Sequence, residues 1–196
     1  MHMNLCDFIK KCALSGLASL VIGSALADPV VHGGSSSYSI RGQSAFVLGA
    51  EMSKKGPVGA DGNRHPARTK WDYRVQLKTY DLGDSCTVES VQIFLGITHT
   101  RPIWRDEEKG VKTLRDRWAS FISSLEDVEK KHEEIARNAA NEAEKIITDL
   151  PPQADCVALE TLVDREARVV KDKYLQLKLQ YEEDTDFGKT VGLSIM

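Results

Sequence analysis

The sequence predicts an α+β domain in which a small antiparallel sheet packs with two long C-terminal helices. Three observations carry that expectation. Trp71, Tyr73, Val75 and Leu77 alternate with polar residues, the two-residue period of a strand with one buried face. From Val111 to Leu150 the apolar residues recur at helical spacing instead, and Pro151-Pro152 stops the pattern. A second helical stretch runs from about Ala154 to Tyr181, with Leu159, Leu162, Val163, Val169, Val170, Tyr174 and Leu177 on its inner side. Strands followed by helices, without an internal repeat, make an α+β arrangement.

The chain opens with an export signal. Lys10 and Lys11 form a positive region ahead of the uncharged run Cys12 to Ser24, and Ala25-Leu26-Ala27 gives the small-x-small pattern of a cleavage site before Asp28-Pro29. A membrane anchor needs roughly 20 apolar residues, whereas this run is shorter and holds Ser15, Gly16, Ser19 and Gly23. Cleavage after Ala27 is therefore expected, and the residue that follows is Asp28, not a cysteine that could carry a lipid. No later segment is apolar enough to span a membrane, so a soluble periplasmic or secreted protein is expected.

The whole chain of 196 residues has 26 basic and 29 acidic side chains, and loss of residues 1–27 removes Lys10, Lys11 and Asp7. That leaves 24 basic against 28 acidic residues, a net charge of −4. A mildly acidic chain without a clustered basic face gives no reason to expect nucleic acid as a partner. Of the four cysteines, Cys6 and Cys12 leave with the signal, so an oxidising compartment permits one intramolecular bridge, Cys86 to Cys156. A zinc site on these two is disfavoured because no CxxC spacing is present.

In chain order, Asp28 to Ser37 is a Gly/Ser-rich stretch read as a flexible leader, and Tyr38-Ser39-Ile40 as a short strand. Ser44 to Lys54 reads as a short helix ended by Lys55-Gly56-Pro57, and Gly59 to Arg68 as a polar loop punctuated by Gly62 and Pro66. After the Trp71–Leu77 strand, Asp81-Leu82-Gly83-Asp84 turns the chain into a second strand, Val88 to Leu95, and Ile97 to Trp104 is read as extending the sheet. The long helix presents Leu114, Trp118, Phe121, Leu125, Val128, Ile135, Ala139, Ala143, Ile146 and Leu150 as one stripe. The segment from Glu182 to Met196 reads as irregular, with 189–196 as a tail beyond a single domain over 38–188.

His132 sits at the centre of that apolar stripe, and Glu129, three residues earlier, lies at its edge. Polar groups that face inward require partners there, since burying them unpaired is costly. The plain explanation is a core histidine bonded to a neighbouring carboxylate or backbone group. The chemical one is the remnant of a metal helix, in which two His at i and i+4 face one side and an intervening Glu serves as base toward zinc-bound water.

Several motifs carry a resemblance across most of the chain. Tyr38-x-Ile40-x-Gly42, then Gly56-Pro57, Gly62 and Ala67-x-Thr69-x-Trp71, are followed by Cys86 and Cys156, by Trp118 ten residues ahead of Val128, and by Tyr181-Glu182-Glu183-Asp184-Thr185-Asp186-Phe187-Gly188. In this order and spacing the chain resembles the DUF922 family, predicted secreted zinc-dependent proteases with a zincin-like helix. The resemblance implies a zincin-like fold and a HExxH motif falling on Val128-Glu129-Lys130-Lys131-His132. Glu129 then stands as a vestigial general base and His132 as the sole retained ligand. Val128 occupies the first lost ligand position and Phe187 the second, in a tail motif that also includes Tyr181 and Thr185. A competing register, His132-Glu133-Glu134-Ile135-Ala136, keeps the His-Glu pair but puts Ala136 at the second His and moves Glu133 toward the polar side.

Catalytic zinc ordinarily takes three protein ligands and a water, so one imidazole does not hold it. The expectation is a pseudoenzyme without a cofactor that binds an unknown protein or peptide partner. The alternative is an active zinc metallopeptidase with a site rearranged through Glu183, Asp184, Asp186, His99 or His65.

Overall fold

The computed structural model describes residues 29–196, and the expected signal segment, residues 1–27, lies outside them. Three strands form one sheet: β1 (Val30–Ile40), β2 (Arg68–Asp81) and β3 (Cys86–Trp104), in the order β1-β3-β2. Three α-helices accompany it: α1 (Ala45–Lys55), α2 (Lys112–Thr148) and α3 (Cys156–Asp184). The α+β class holds, with the sheet ahead of the two long helices.

Two local expectations change. The Gly/Ser-rich stretch read as a flexible leader is part of β1, which pairs in parallel with β3 from Val30↔Phe94 to Ile40↔Trp104. The sheet is therefore mixed rather than purely antiparallel. Backbone pairing to a central strand orders a segment whose side chains carry almost no strand signal, which is why composition alone misses it. Val88–Leu95 and Ile97–Trp104 are one continuous strand of 19 residues, with Gly96 inside it.

The β2–β3 hairpin follows the local chemistry. Asp81 accepts a hydrogen bond from the Gly83 amide at 2.8 Å, and Gly83 takes φ +91°, a left-handed conformation that glycine adopts without a steric penalty. At the start of α1, Ser44 caps the Val47 amide at 3.3 Å, and at the start of α3, Asp155 caps the Ala158 amide at 2.8 Å. With 37 residues, α2 is about 55 Å long at 1.5 Å per residue, and it packs against β3 and β2.

Packing divides α2 along its length. Its first half carries Leu114, Trp118, Phe121, Leu125 and Val128 into a cluster with Ile40, Leu48, Met52 and Trp104. Its second half presents the small residues Ala136, Ala139, Ala140 and Ala143 to the large ones Trp71, Tyr73, Ile93, Leu95 and Ile97 of the sheet. Small against large brings the helix close to the sheet without voids. Beyond α3 the chain does not trail off: Leu193 and Ile195 are buried in the first cluster, so the tail read as irregular is a strap across the core.

The Cys86–Cys156 disulfide forms, joining the start of β3 to the start of α3. Reciprocal backbone bonds between Cys86 and Gln153, at 2.8 and 2.9 Å, clip the same corner. The bridge spans a sequence separation of 70, which in the chain-entropy account stabilises the fold by roughly 4 kcal/mol. The Cys86→Ala, Cys156→Ala double variant should lose about that much in urea unfolding; an unchanged midpoint would show that the corner is held without the bridge.

Candidate functional site

The polar interruption in the α2 stripe is where β2, β3, the C-terminal end of α3 and the tail converge. A cavity of about 60 Å3 lies there, and Val128, Glu129, His132, Tyr181, Thr185 and Phe187 all line it. These six residues, drawn from the two sequence motifs, therefore reach one place, although they come from regions some fifty positions apart. Cys86 and Cys156 stand apart in their own cluster.

Glu129 is 3% exposed and is not left facing water. The Arg101 guanidinium grips it as a fork, with Nε donating to Oε1 at 2.8 Å and the second nitrogen donating to Oε2. Such a bidentate pair fixes both orientation and charge. The His99 ring lies alongside, its Nδ1 3.7 Å from the Glu129 carboxylate and 3.0 Å from the Thr69 hydroxyl, its Nε2 3.0 Å from Glu133. Glu133 and Ala136, the marks of the competing register, thus go elsewhere: Glu133 to His99, and Ala136 into the sheet-facing core.

His132 is 5% exposed, and neither ring nitrogen has a hydrogen-bond partner. The Tyr181 ring meets it edge-on at 5.5 Å. Its nearest carboxylate, Glu182, is 3.7 Å from Nε2, but Lys178 holds that same oxygen at 2.5 Å and cancels its charge. Burial pushes the imidazole down from 6.5 to about 3, and the positive charges of Lys178 and His99 add to the effect. The ring is neutral throughout the physiological range.

Phe187 stacks on His65 at 4.2 Å between ring centroids, and His65 in turn pairs with Asp61 at 2.9 Å. Both Asp186 and Phe187 take positive φ, 45° and 53°, a conformation that costs roughly 1–2 kcal/mol for a residue with a Cβ. Thr185 stabilises the bend by donating to the Tyr181 carbonyl at 2.7 Å and accepting from the Gly188 amide at 3.0 Å. Gly188, at φ +87°, must be glycine for a second reason, since a Cβ there would sit 2.9 Å from Leu193.

These donors do not suit a zinc ion. Val128 and Phe187 offer hydrocarbon, Glu129 is committed to Arg101, and the Lys178 ammonium lies against Glu182, the carboxylate 3.7 Å from the His132 ring. Among the described residues no group of three or more His, Cys, Asp or Glu could hold a metal. Of the replacement ligands considered, Asp184 bonds to Gln180 and Asp186 to Lys189, both at the surface. His99 approaches Glu129 rather than His132 within bonding range.

Arg101 and Lys178 are site residues that sequence reasoning missed, and it gave Glu182, part of the tail motif, no role. Arg101 was open to detection, because it continues the two-residue alternation Ile93, Leu95, Ile97, His99 on the face of β3 that turns to α2. The Lys178–Glu182 pair had only its i,i+4 spacing as a signal, and that is common on solvated helices.

The neutrality of His132 carries a pH dependence. A folded-state pKa near 3 against an ordinary 6.5 means the unfolded chain takes up the proton first, so this residue's contribution is complete above about pH 6.5 and is lost as the pH falls toward 3. Unfolding free energy should drop by up to about 1.4 kcal/mol per pH unit from this group across that window. In urea titrations at pH 7, 6 and 5 the His132→Phe variant should show a visibly flatter dependence; parallel curves for the two proteins would contradict a neutral buried ring.

Comparison with known proteins adds the family and little else. No curated protein and no solved structure matches the chain. Among the described residues no helix is long and apolar enough to cross a membrane. The family model described as "Bacterial protein of unknown function (DUF922)" matches residues 35–188, which include β2 and β3, the whole of α2 and α3 and the disulfide, and the chain belongs to the DUF922 family.

Proposed function

We propose that this protein is an exported, zincin-like member of its family that has given up metal catalysis and works as a binding module for a protein or peptide partner. The observation that carries the reading is the Arg101–Glu129 fork. A general base for peptide hydrolysis needs a free carboxylate oxygen toward an activated water, and the metal lowers the pKa of that water. Here both oxygens are engaged by a guanidinium, and the positions that would hold the metal carry Val128 and Phe187. What persists is a small cavity beside a groove of about 680 Å3 along β2 and α3. The two adjoin through Ala60, Arg68, Thr69 and Lys178. A groove with a pocket at one end suits an extended segment that places one side chain in the pocket.

The alternative, a peptidase with a rearranged metal site, is separated by metal content. Protein purified at neutral pH after equilibration with zinc should contain well under one equivalent, and stoichiometric zinc that vanishes in His132→Ala would defeat the proposal. Restoring the lost donors with Val128→His and Phe187→His should create zinc affinity, because both positions line the cavity that holds His132. A double variant that binds none would mean that the motif is misaligned. Export is tested on the same preparation: the protein should be recovered from the periplasm or medium with its N-terminus near Asp28, and a cytoplasmic protein that retains residues 1–27 would refute it.

A further inference from the structure

β2 is an edge of the sheet, bonded to β3 on one side alone. An edge strand presents amides and carbonyls with which a further extended chain can pair. The Asp72 carbonyl points across the ladder to Gly96 of β3. Direction alternates along a strand, so the backbone groups of Thr69, Trp71 and Tyr73 point to the free edge. At Tyr73 that edge is closed: its amide donates to the Asp72 carboxylate at 2.8 Å, and Lys171 of α3 reaches the same oxygen at 2.6 Å. Before that point, from Arg68 to Asp72, β2 instead borders the groove of about 680 Å3.

Charge narrows what fits there. The chain is acidic overall, with 29 acidic against 26 basic residues, yet this groove is positive. Two of its charged pairs cancel: Asp72 with Lys171, and Lys178 with Glu182. Arg68 and Lys70 remain. The Arg68 guanidinium donates to the Val58 carbonyl at 2.5 Å, a neutral acceptor that leaves its charge in place. Among the described residues neither Arg68 nor Lys70 has a carboxylate within ion-pair distance. They stand two residues apart, so they share one face of the sheet, opposite to the face on which Trp71 and Tyr73 enter the core. On the core side of the edge, α3 lines the groove with Leu175 and Leu179.

We infer that β2 accepts an extended segment of a partner polypeptide as a fourth strand, and that the segment reads acidic–apolar–acidic. Its two carboxylates lie opposite Arg68 and Lys70, and the apolar side chain between them turns to Leu175 and Leu179 of α3. Successive side chains of a strand alternate between faces and meet their cross-strand neighbours, so a single register places all three. A third acidic residue on the same face would meet Asp72, whose charge Lys171 already answers, so the recognised stretch is short. This rests on the binding reading above and specifies its ligand. The step is one of binding alone: main-chain hydrogen bonds form to the free edge, and no covalent bond changes.

Three end-blocked peptides of one length test it: Gly-Ser-Glu-Leu-Glu-Ser-Gly and its counterparts with Gln or Lys in place of both Glu residues. Each is titrated into the full mature protein, free of zinc, while the backbone amides are followed by NMR. The Glu peptide should shift the Thr69 and Trp71 amides saturably and slow their hydrogen exchange, as new strand pairing requires. It should bind about 10-fold or more tightly than the Lys peptide, with the Gln peptide between them, and added salt should narrow the difference. Lys70→Glu, at an exposed position, should remove the preference for the Glu peptide, and Arg68→Gln should weaken it further wherever that variant folds. Equal or tighter binding of the Lys peptide, binding that leaves the Thr69 and Trp71 amides unprotected, or no response to the Glu peptide overturns the acidic fourth strand and leaves the binding reading standing. Stoichiometric zinc that is lost in His132→Ala overturns the binding reading on which it rests.

Discussion

The Arg101–Glu129 fork is the interaction around which the rest of the site is arranged. It joins α2 to β3 at the point where the apolar stripe of the helix is interrupted, between the aromatic cluster of the first half and the alanine surface of the second. A buried carboxylate without a partner would be strongly destabilising, so Glu129 can occupy this face only because Arg101 reaches it. Part of the guanidinium remains open to solvent, and its contacts extend to Glu126 at 3.8 Å. The energetic value of the pair is therefore smaller than that of a wholly dry one. Its structural value is the orientation it sets: Glu129 is turned to the sheet, while His132, one turn along, meets the edge of Tyr181 instead.

The same stretch of α2 combines polar and apolar residues on one face. Val128, Glu129 and His132 still face one side, as the spacing of a HExxH motif requires. Hydrocarbon at Val128 is compatible with the packing around Leu125 and Leu193, and Phe187 fills space against His65. Both side chains contribute buried apolar surface there. The Lys178–Glu182 pair adds an ammonium beside His132, which a cation site would not accommodate.

The end of the chain contributes more than closure. α3 ends at Asp184, two residues with positive φ reverse direction, and the strap then runs back so that Leu193 and Ile195 enter the core beside Leu48 and Met52. Backbone strain at Asp186 and Phe187 persists because Thr185, Gly188 and the buried strap hold both sides of the bend. The strained residues lie at the edge of the cavity, so the same contacts that fasten the C-terminal segment also shape the pocket wall.

The sequence by itself determined the elements with strong periodicity: α2 and α3, with Pro151-Pro152 between them, the β2–β3 hairpin, and the single cysteine pairing. Hydrophobic period and turn chemistry are local properties, and they survive into the fold unchanged. The family resemblance also drew attention to Val128, Glu129 and His132 in one motif and to Phe187 in another, because each motif is local in the chain. Only the tertiary structure decided what these residues meet. β1 is a strand because a central strand pairs with it, which its Gly and Ser residues do not announce. Arg101 lies 28 residues from Glu129, and Lys178 and Glu182 arrive from another helix. Whether a buried carboxylate is free or bound, and whether a histidine has a partner, depends on contacts between distant segments, which no local pattern records.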